Sequence, residues 1–142
     1  MFLGEYEYTI DQKGRVAVPA KFRDAFREGL VLSRGFDRCL IVYPMAEWVK
    51  MAEKLASPPS ARSKFRRLSR TAFSTAYNLD LDRQGRIVLP LSLREYAGIT
   101  DSAIIAGIHN YLEIWSREAW AAEKSLMDEQ AWHLVEAIEA KP

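Results

Sequence analysis

The chain has 142 residues, of which 49% are hydrophobic and 27% are charged, and this composition excludes a disordered or fibrous protein. The 20 Lys and Arg residues nearly balance the 19 Asp and Glu residues, so the net charge of +1 does not by itself indicate a polyanionic partner. The single cysteine, Cys39, excludes an intramolecular disulfide, and its apolar surroundings predict a buried thiol.

One pattern occurs twice along the chain. Residues 11–19 read DQKGRVAVP, and residues 82–90 read DRQGRIVLP. Each copy has an Asp, a Gly and an Arg at the same spacing, then an apolar run that ends in Pro, and Arg23 and Arg94 follow at equal distances. A pattern that repeats over this many positions indicates two copies of one structural unit.

Each copy is flanked by residues typical of β-strands, which predicts a strand, a short turn and a returning strand, that is, a β-hairpin. In each turn we expect the Asp to accept backbone N–H bonds and the Gly to supply a positive φ. These loop-shaping residues are Asp11, Gly14, Asp82 and Gly85. Arg15 and Arg86 begin the returning strands. The alternative is a plain Asp–Arg pair across each turn, which contributes only about 0–1 kcal/mol at a surface.

Short amphipathic helices are predicted after Pro19 and Pro90, because Pro suits the first turn of a helix. A second pair of apolar strands then follows in each half. The sequence therefore predicts an α+β, β-rich fold in which two tandem, pseudo-symmetric hairpin-and-helix repeats, residues 5–48 and 77–120, pack as one compact unit.

Two helical regions complete the prediction. Residues 49–76 form linking helices, interrupted by the Ser-Pro-Pro-Ser segment at 57–60. Five basic residues and no acidic one lie between residues 57 and 78, which indicates a solvated basic face or, as the alternative, a nucleic-acid contact. Residues 121–142 form an amphipathic C-terminal helix with an excess of acidic residues, and it packs either on its own subunit or on a neighbour.

Candidates for catalysis are poor. The sequence has no Cys–His pair at motif spacing, no G-x-S-x-G, no P-loop and no G-x-G-x-x-G. His109 and His133 lack partners at metal-ligand spacing, so we predict no metal site, no cofactor, no small-molecule substrate and no enzyme activity. The sequence begins without a signal peptide and has no apolar run of membrane length, so a cytoplasmic protein without membrane contact is expected.

The duplicated D-x-x-G-R loops, each followed by an apolar strand, a Pro and a short helix, carry a family resemblance. The chain resembles the MraZ family of bacterial transcriptional regulators, which belongs to the AbrB-like (SpoVT-AbrB) DNA-binding proteins. The match extends from Met1 to about Trp120. Besides the two loops, it is carried by MFLG at 1–4, VPAKFR at 18–23, RGFD at 34–37 and LIVYP at 40–44.

The resemblance implies a DNA-binding transcriptional regulator that is associated with the nucleoid. Such a protein would form a ring-shaped homo-oligomer and bind short direct repeats of double-stranded DNA in the promoter of the division and cell-wall operon. The DNA-facing residues would be Arg15 and Arg86, with Lys13, Lys21 and Arg83 nearby. The alternative is an oligomeric protein-binding scaffold that does not read DNA.

Overall fold

The computed structural model describes residues 1–140, so the last two positions of the predicted C-terminal helix lie outside the described residues. Four α-helices and one 3₁₀ helix, Ala20–Phe26, join eight strands in this part of the chain. The strands are β1 (Glu5–Thr9), β2 (Arg15–Ala17), β3 (Leu30–Arg34), β4 (Leu40–Pro44), β5 (Tyr77–Leu79), β6 (Arg86–Val88), β7 (Ser102–Ile108) and β8 (Tyr111–Trp115). The α-helices are α1 (Met45–Leu55), α2 (Ser63–Ser74), α3 (Leu91–Ala97) and α4 (Arg117–Glu139).

Six strands form one antiparallel sheet in the order β1-β7-β8-β4-β3-β5, and β2 pairs with β6 in a separate two-stranded ribbon. The second strand pair predicted in each half is confirmed, because β3 pairs with β4 and β7 pairs with β8. The α+β class with two tandem repeats is confirmed as well.

The pairing predicted around each repeated loop is wrong. Strand β1 pairs with β7 rather than with β2, and β2 pairs with β6 of the other repeat. Strand β5 likewise crosses to β3 of the first repeat. The repeated sequence predicts each turn but not the partners of the strands beside it, because those are set by packing between parts of the chain that are distant in sequence, as where Val16 of β2 and Ile87 of β6 meet in the core. The halves therefore interleave.

The main core lies between the six-stranded sheet and a layer formed by the ribbon, the 3₁₀ helix and α3. Val16 and Ile87, which face each other in the ribbon, are completely buried in this core. Phe22 and Phe26 reach it from the 3₁₀ helix, and Leu93 reaches it from α3. The predicted short helices are thus present, and Pro19 and Pro90 cap their N-termini.

The opposite face of the sheet carries the longer helices. Trp48 of α1 packs on Tyr43 of the sheet and on Phe73 of α2, with ring centroids 5.5 Å and 5.7 Å away. In the second repeat, Trp120 of α4 packs on Trp115 at 5.6 Å. Pseudo-symmetry therefore places α4 over β7 as α1 lies over β3, the corresponding strand of the first repeat. Within residues 1–140, none of the helices combines the length and the apolar character that a membrane crossing requires.

Candidate nucleic-acid interface

Loop 1 (residues 10–14) is organised by a single carboxylate. One oxygen of Asp11, Oδ1, accepts the backbone N–H groups of Lys13 and Arg15, each at 2.9 Å. The other oxygen, Oδ2, accepts Nε–H of the Arg15 side chain at 2.6 Å. The N–H of Gly14 donates to the carbonyl of Asp11 at 3.0 Å, and Gly14 has a φ of 76°. This carboxylate therefore both closes the turn and holds the guanidinium.

Loop 2 (residues 81–85) repeats this geometry. Asp82 Oδ1 accepts the N–H groups of Gln84 and Arg86 at 2.9 Å, and Oδ2 accepts Nε–H of Arg86 at 2.8 Å. Gly85 has a φ of 73°. The predicted loop-shaping contacts and the alternative Asp–Arg pair are both present, because the two oxygens of one carboxylate serve the two purposes.

Both Asp carboxylates are held in their charged form. The backbone N–H of Arg15 is the main cause of the lowered pKa of Asp11, and the Arg15 side chain and the N–H of Lys13 lower it further. The backbone N–H of Arg86 has the same effect on the pKa of Asp82. Hydrogen bonds to a carboxylate stabilise its ionised form. Each loop thus keeps a negative charge that is hydrogen-bonded to the guanidinium of its arginine.

The loops are also locked across the repeats. Arg23 donates from Nε to the carbonyl of Val18 at 2.9 Å and crosses Gly85 so closely that a Cβ there would lie 2.1 Å from its Nε. Arg94 donates from Nε to the carbonyl of Leu89 at 2.9 Å and lies near Gly14, where a Cβ would be 3.1 Å from its guanidinium. Both glycines supply a positive φ, and Gly85 also leaves the space that Arg23 of the other repeat occupies.

The ribbon brings the two loop arginines onto one surface. Arg15 pairs with Val88, and Ala17 pairs with Arg86. Successive side chains of a strand point to opposite faces, so the buried Val16 and Ile87 leave these four residues on the outer face. Arg15 and Arg86 occupy diagonal positions, about 7–8 Å apart at their Cα atoms. Their side chains are 27% and 25% exposed.

The remaining predicted site residues are exposed at different places. Lys13 and Arg83 are exposed at the tips of loop 1 and loop 2. Lys21 is exposed on the 3₁₀ helix, where its Nζ lies 4.9 Å from the ring centroid of Tyr6. The part of the chain that the structure describes contains no His, Cys, Asp and Glu cluster that could hold a metal ion.

This arrangement is suited to binding a polyanion. A guanidinium has five N–H donors in a fixed plane, and the Asp in each loop takes only the Nε–H at short distance. Arg86 Nη1 also lies 3.7 Å from Asp11, so the two loops share one charge network. Arginines oriented by carboxylates in this way can donate their Nη groups to phosphate oxygens or to a guanine edge.

Sequence reasoning did not assign a role to Arg23 and Arg94. The only indication in the sequence is that both arginines follow their loops at the same distance, and this does not identify the residues that they contact. Each guanidinium reaches a carbonyl in its own repeat and a glycine in the other, so its role depends on the cross-repeat pairing. They act as positioning residues for the loops.

The chain matches known proteins over nearly its whole length. The family model described as MraZ protein matches residues 1–71 and again residues 72–136. The chain is 46% identical over 140 residues to a transcriptional regulator MraZ of Dehalococcoides mccartyi, covering 98% of this chain and 99% of that protein. It is 51% identical over 131 residues to that of Roseiflexus castenholzii, with 92% of each chain covered. Identity to that of Herpetosiphon aurantiacus is 48% over 140 residues, with 99% and 98% covered.

Proposed function

Because the chain belongs to the MraZ family, we propose that it is a transcriptional regulator that binds double-stranded DNA through the outer face of its ribbon. Its relatives carry the name transcriptional regulator, and regulation of transcription by direct action on a promoter requires DNA binding. A protein with this function works where the chromosome is, so the proposal places it in the cytoplasm at the nucleoid.

The observation that carries the proposal is the pair of Asp-anchored arginines on one exposed face. Surface ion pairs contribute about 0–1 kcal/mol, so stability alone gives weak reason to build the same Asp–Arg loop twice. Orientation of the guanidinium gives a better reason, because a held arginine loses less side-chain freedom on binding. Lys13 and Arg83 at the loop tips add flexible cations for the phosphate backbone.

One subunit offers few cations, and its affinity for DNA should therefore be weak and should fall with added salt. Several identical ribbons in one assembly would raise affinity by increasing the effective concentration of each next contact. We propose that the protein acts as a homo-oligomeric ring. Such a ring suits a promoter of short direct repeats, like that of the division and cell-wall operon which the family resemblance implies.

The experiment that tests the proposal measures promoter binding by the variants Arg15→Ala and Arg86→Ala at several salt concentrations. We expect each to weaken binding by about tenfold or more. If the lost contact is to a phosphate, the slope of log binding constant against log salt concentration should decrease in magnitude by about 0.9 per contact. The conservative variant Arg15→Lys distinguishes a phosphate contact from a guanine contact, because lysine keeps the charge but cannot form two hydrogen bonds to a guanine edge.

Arg27→Ala is the matched control. Arg27 also pairs with an Asp, Asp24, at 3.1 Å, but both side chains are mostly exposed and line a cleft beside Pro44 and Met45. This variant should bind DNA like the wild type. Wild-type affinity in folded Arg15→Ala and Arg86→Ala proteins would contradict the proposal and favour a protein-binding scaffold instead.

A further inference from the structure

The C-terminal half of α4 leaves the body of the subunit. Trp120 and Lys124 hold the start of the helix on β1, where Trp120 Nε1 and Lys124 Nζ donate to Glu5 at 2.8 Å and 3.0 Å. Every residue from Lys124 to Ala140 is exposed. An isolated helix of this length is marginal in water, so this half needs a partner surface to be stable.

One face of this projecting half is acidic and has a tryptophan at its centre. Trp132 is 69% exposed. Asp128 and Glu136 lie four residues on either side of it, and Glu129 lies three residues before it, so all three carboxylates neighbour the indole on the helix surface. Residues 125–140 contain no Lys or Arg. We call this surface the tryptophan face.

A surface of complementary character lies beside α2. A groove of about 450 Å³ runs between α2 and the 57–59 segment, and its walls include Phe73, Pro59, Arg66 and Arg70. Residues 57–74 contain five basic residues and no acidic one. A lining that includes exposed Phe73 and two arginines suits an indole, which can stack on the Phe73 ring and make a cation–π contact with a guanidinium.

The two surfaces do not meet within one subunit. Helix α4 lies over β7 and α2 lies over β3, with strands β8 and β4 between them in the sheet. In the first repeat, α2 covers α1, whereas within residues 1–140 no helix holds the corresponding place beside α4. Two copies of the tryptophan face would also repel each other, since both are acidic.

We propose that the tryptophan face of α4 docks in the α2 groove of a second copy of this chain. Because the two surfaces differ, the contact is head-to-tail, and every subunit can give one contact and receive one. Such contacts generate a ring when the rotation closes. The inference rests on the homo-oligomer in the proposed function and identifies the surfaces that join its subunits.

The test is a mass measurement, without DNA, of the full chain and two variants. Trp132→Ala removes the indole, and Arg70→Glu reverses the charge at the groove rim; both side chains are exposed, so folding should be preserved. We expect the wild type to be a multimer and each variant to associate about thirtyfold more weakly, as for a central aromatic anchor. Lys64→Glu, on α2 outside the groove, is the control and should assemble normally.

Mixing the two variants gives the sharper result. Trp132→Ala keeps an intact groove and Arg70→Glu keeps an intact tryptophan face, so a 1:1 mixture should form a heterodimer with one junction. No heterodimer would overturn the inference, as would normal assembly of Trp132→Ala. Loss of assembly in Trp132→Ala alone would indicate pairing between two α4 helices and would also overturn it.

DNA binding measured on the same samples separates this inference from the proposed function. A wild type that assembles and binds DNA, with both variants unchanged in mass, contradicts the interface and leaves the regulator intact. A monomeric wild type contradicts the interface and the ring, while Arg15→Ala still tests the DNA contact. An Arg70→Glu protein of normal mass that has lost DNA binding would assign α2 to the DNA surface instead.

Discussion

At the scale of the residue, each loop depends on one carboxylate that accepts three hydrogen bonds. Two come from backbone N–H groups and fix the turn, and the third comes from the arginine that we propose to contact DNA. The same atoms thus determine local folding and the direction of the functional side chain. A change at Asp11 or Asp82 should therefore affect stability and DNA binding together.

Acid should weaken this arrangement. The pKa of Asp11 and of Asp82 is lower in the folded protein than its ordinary value, so both groups stabilise the fold above about pH 4 and lose that contribution as the pH falls through the folded pKa. We expect the melting temperature of the wild type to fall more steeply below pH 4 than that of an Asp11→Asn/Asp82→Asn variant, which is already less stable at pH 7. Thermal unfolding from pH 7 to about pH 2.5 measures this.

The matched control for the pH experiment is Asp24→Asn, which changes an exposed carboxylate outside the loops. Its melting temperature should follow that of the wild type over the whole pH range. Parallel curves for the wild type and the loop variant would show that the loop carboxylates do not cause the acid sensitivity.

Gly85 and Gly98 provide a comparison in which only the surroundings differ. Both have a positive φ, 73° and 67°, but a Cβ at Gly85 would collide with Arg23, whereas nothing lies within 4 Å of a Cβ at Gly98. Gly98→Ala should cost about 1–2 kcal/mol of unfolding free energy, which is the left-handed strain alone. Gly85→Ala should cost about 1 kcal/mol more, because Arg23 must also give up its bond to Val18.

Denaturant unfolding of the two glycine variants measures that difference. The Arg23→Ala substitution removes the side chain with which a Cβ at residue 85 would collide. Gly85→Ala should therefore lower the free energy of unfolding less in an Arg23→Ala background than in the wild type. Equal costs for Gly85→Ala and Gly98→Ala would mean that Arg23 moves away freely and does not hold loop 2.

At the scale of the element, α4 is the helix of residues 1–140 that begins with a side-chain cap. Ser116 is 5% exposed, and its Oγ accepts the N–H of Ala119 at 3.0 Å at the start of α4. This cap orients α4 as it leaves β8 and so sets the direction of the projecting tryptophan face. Pro44 and Pro90 precede α1 and α3, where no side chain forms a capping hydrogen bond.

Loss of the Ser116 cap should therefore lower the stability of the whole protein. We expect Ser116→Ala to lower the free energy of unfolding by about 1 kcal/mol, the usual cost of an N-cap substitution, and Ser125→Ala, at an exposed site within α4, to change it by less than about 0.5 kcal/mol. Thermal unfolding compares the two. Equal stability of the two variants would show that contacts of Trp120 alone fix the start of α4.

At the scale of the whole molecule, the two repeats depend on each other. Four strand pairings join them: β1 with β7, β2 with β6, β3 with β5, and β4 with β8. Separation would expose the completely buried Val16 and Ile87 and break the backbone hydrogen bonds of all four pairings. The repeats are therefore one cooperative unit and should not fold alone.

Fragments 1–60 and 61–142, divided in the segment between α1 and α2, test this dependence without cutting an element. Each fragment alone should show no cooperative thermal transition, and a 1:1 mixture should regain one together with near-ultraviolet circular dichroism. A second fragment that carries Ile87→Asp should not complement the first, because a charge would enter the core between the ribbon strands. Cooperative folding of either fragment alone would contradict the prediction.

Features that depend on neighbouring residues could be predicted from the amino-acid sequence alone. These are the duplication, the Asp-and-Gly loops, the helices after Pro19 and Pro90, and the α+β class. Each follows from local hydrogen bonding, backbone preference or apolar spacing, which the residues carry wherever they are placed. The strand pairing could not be predicted in this way, and it is this pairing that brings Arg15 and Arg86 onto one ribbon and Arg23 and Arg94 close to the loops of the opposite repeat. These pairings join strands that are distant in sequence, and burial of a shared core, in which Val16 and Ile87 are completely buried, selects them.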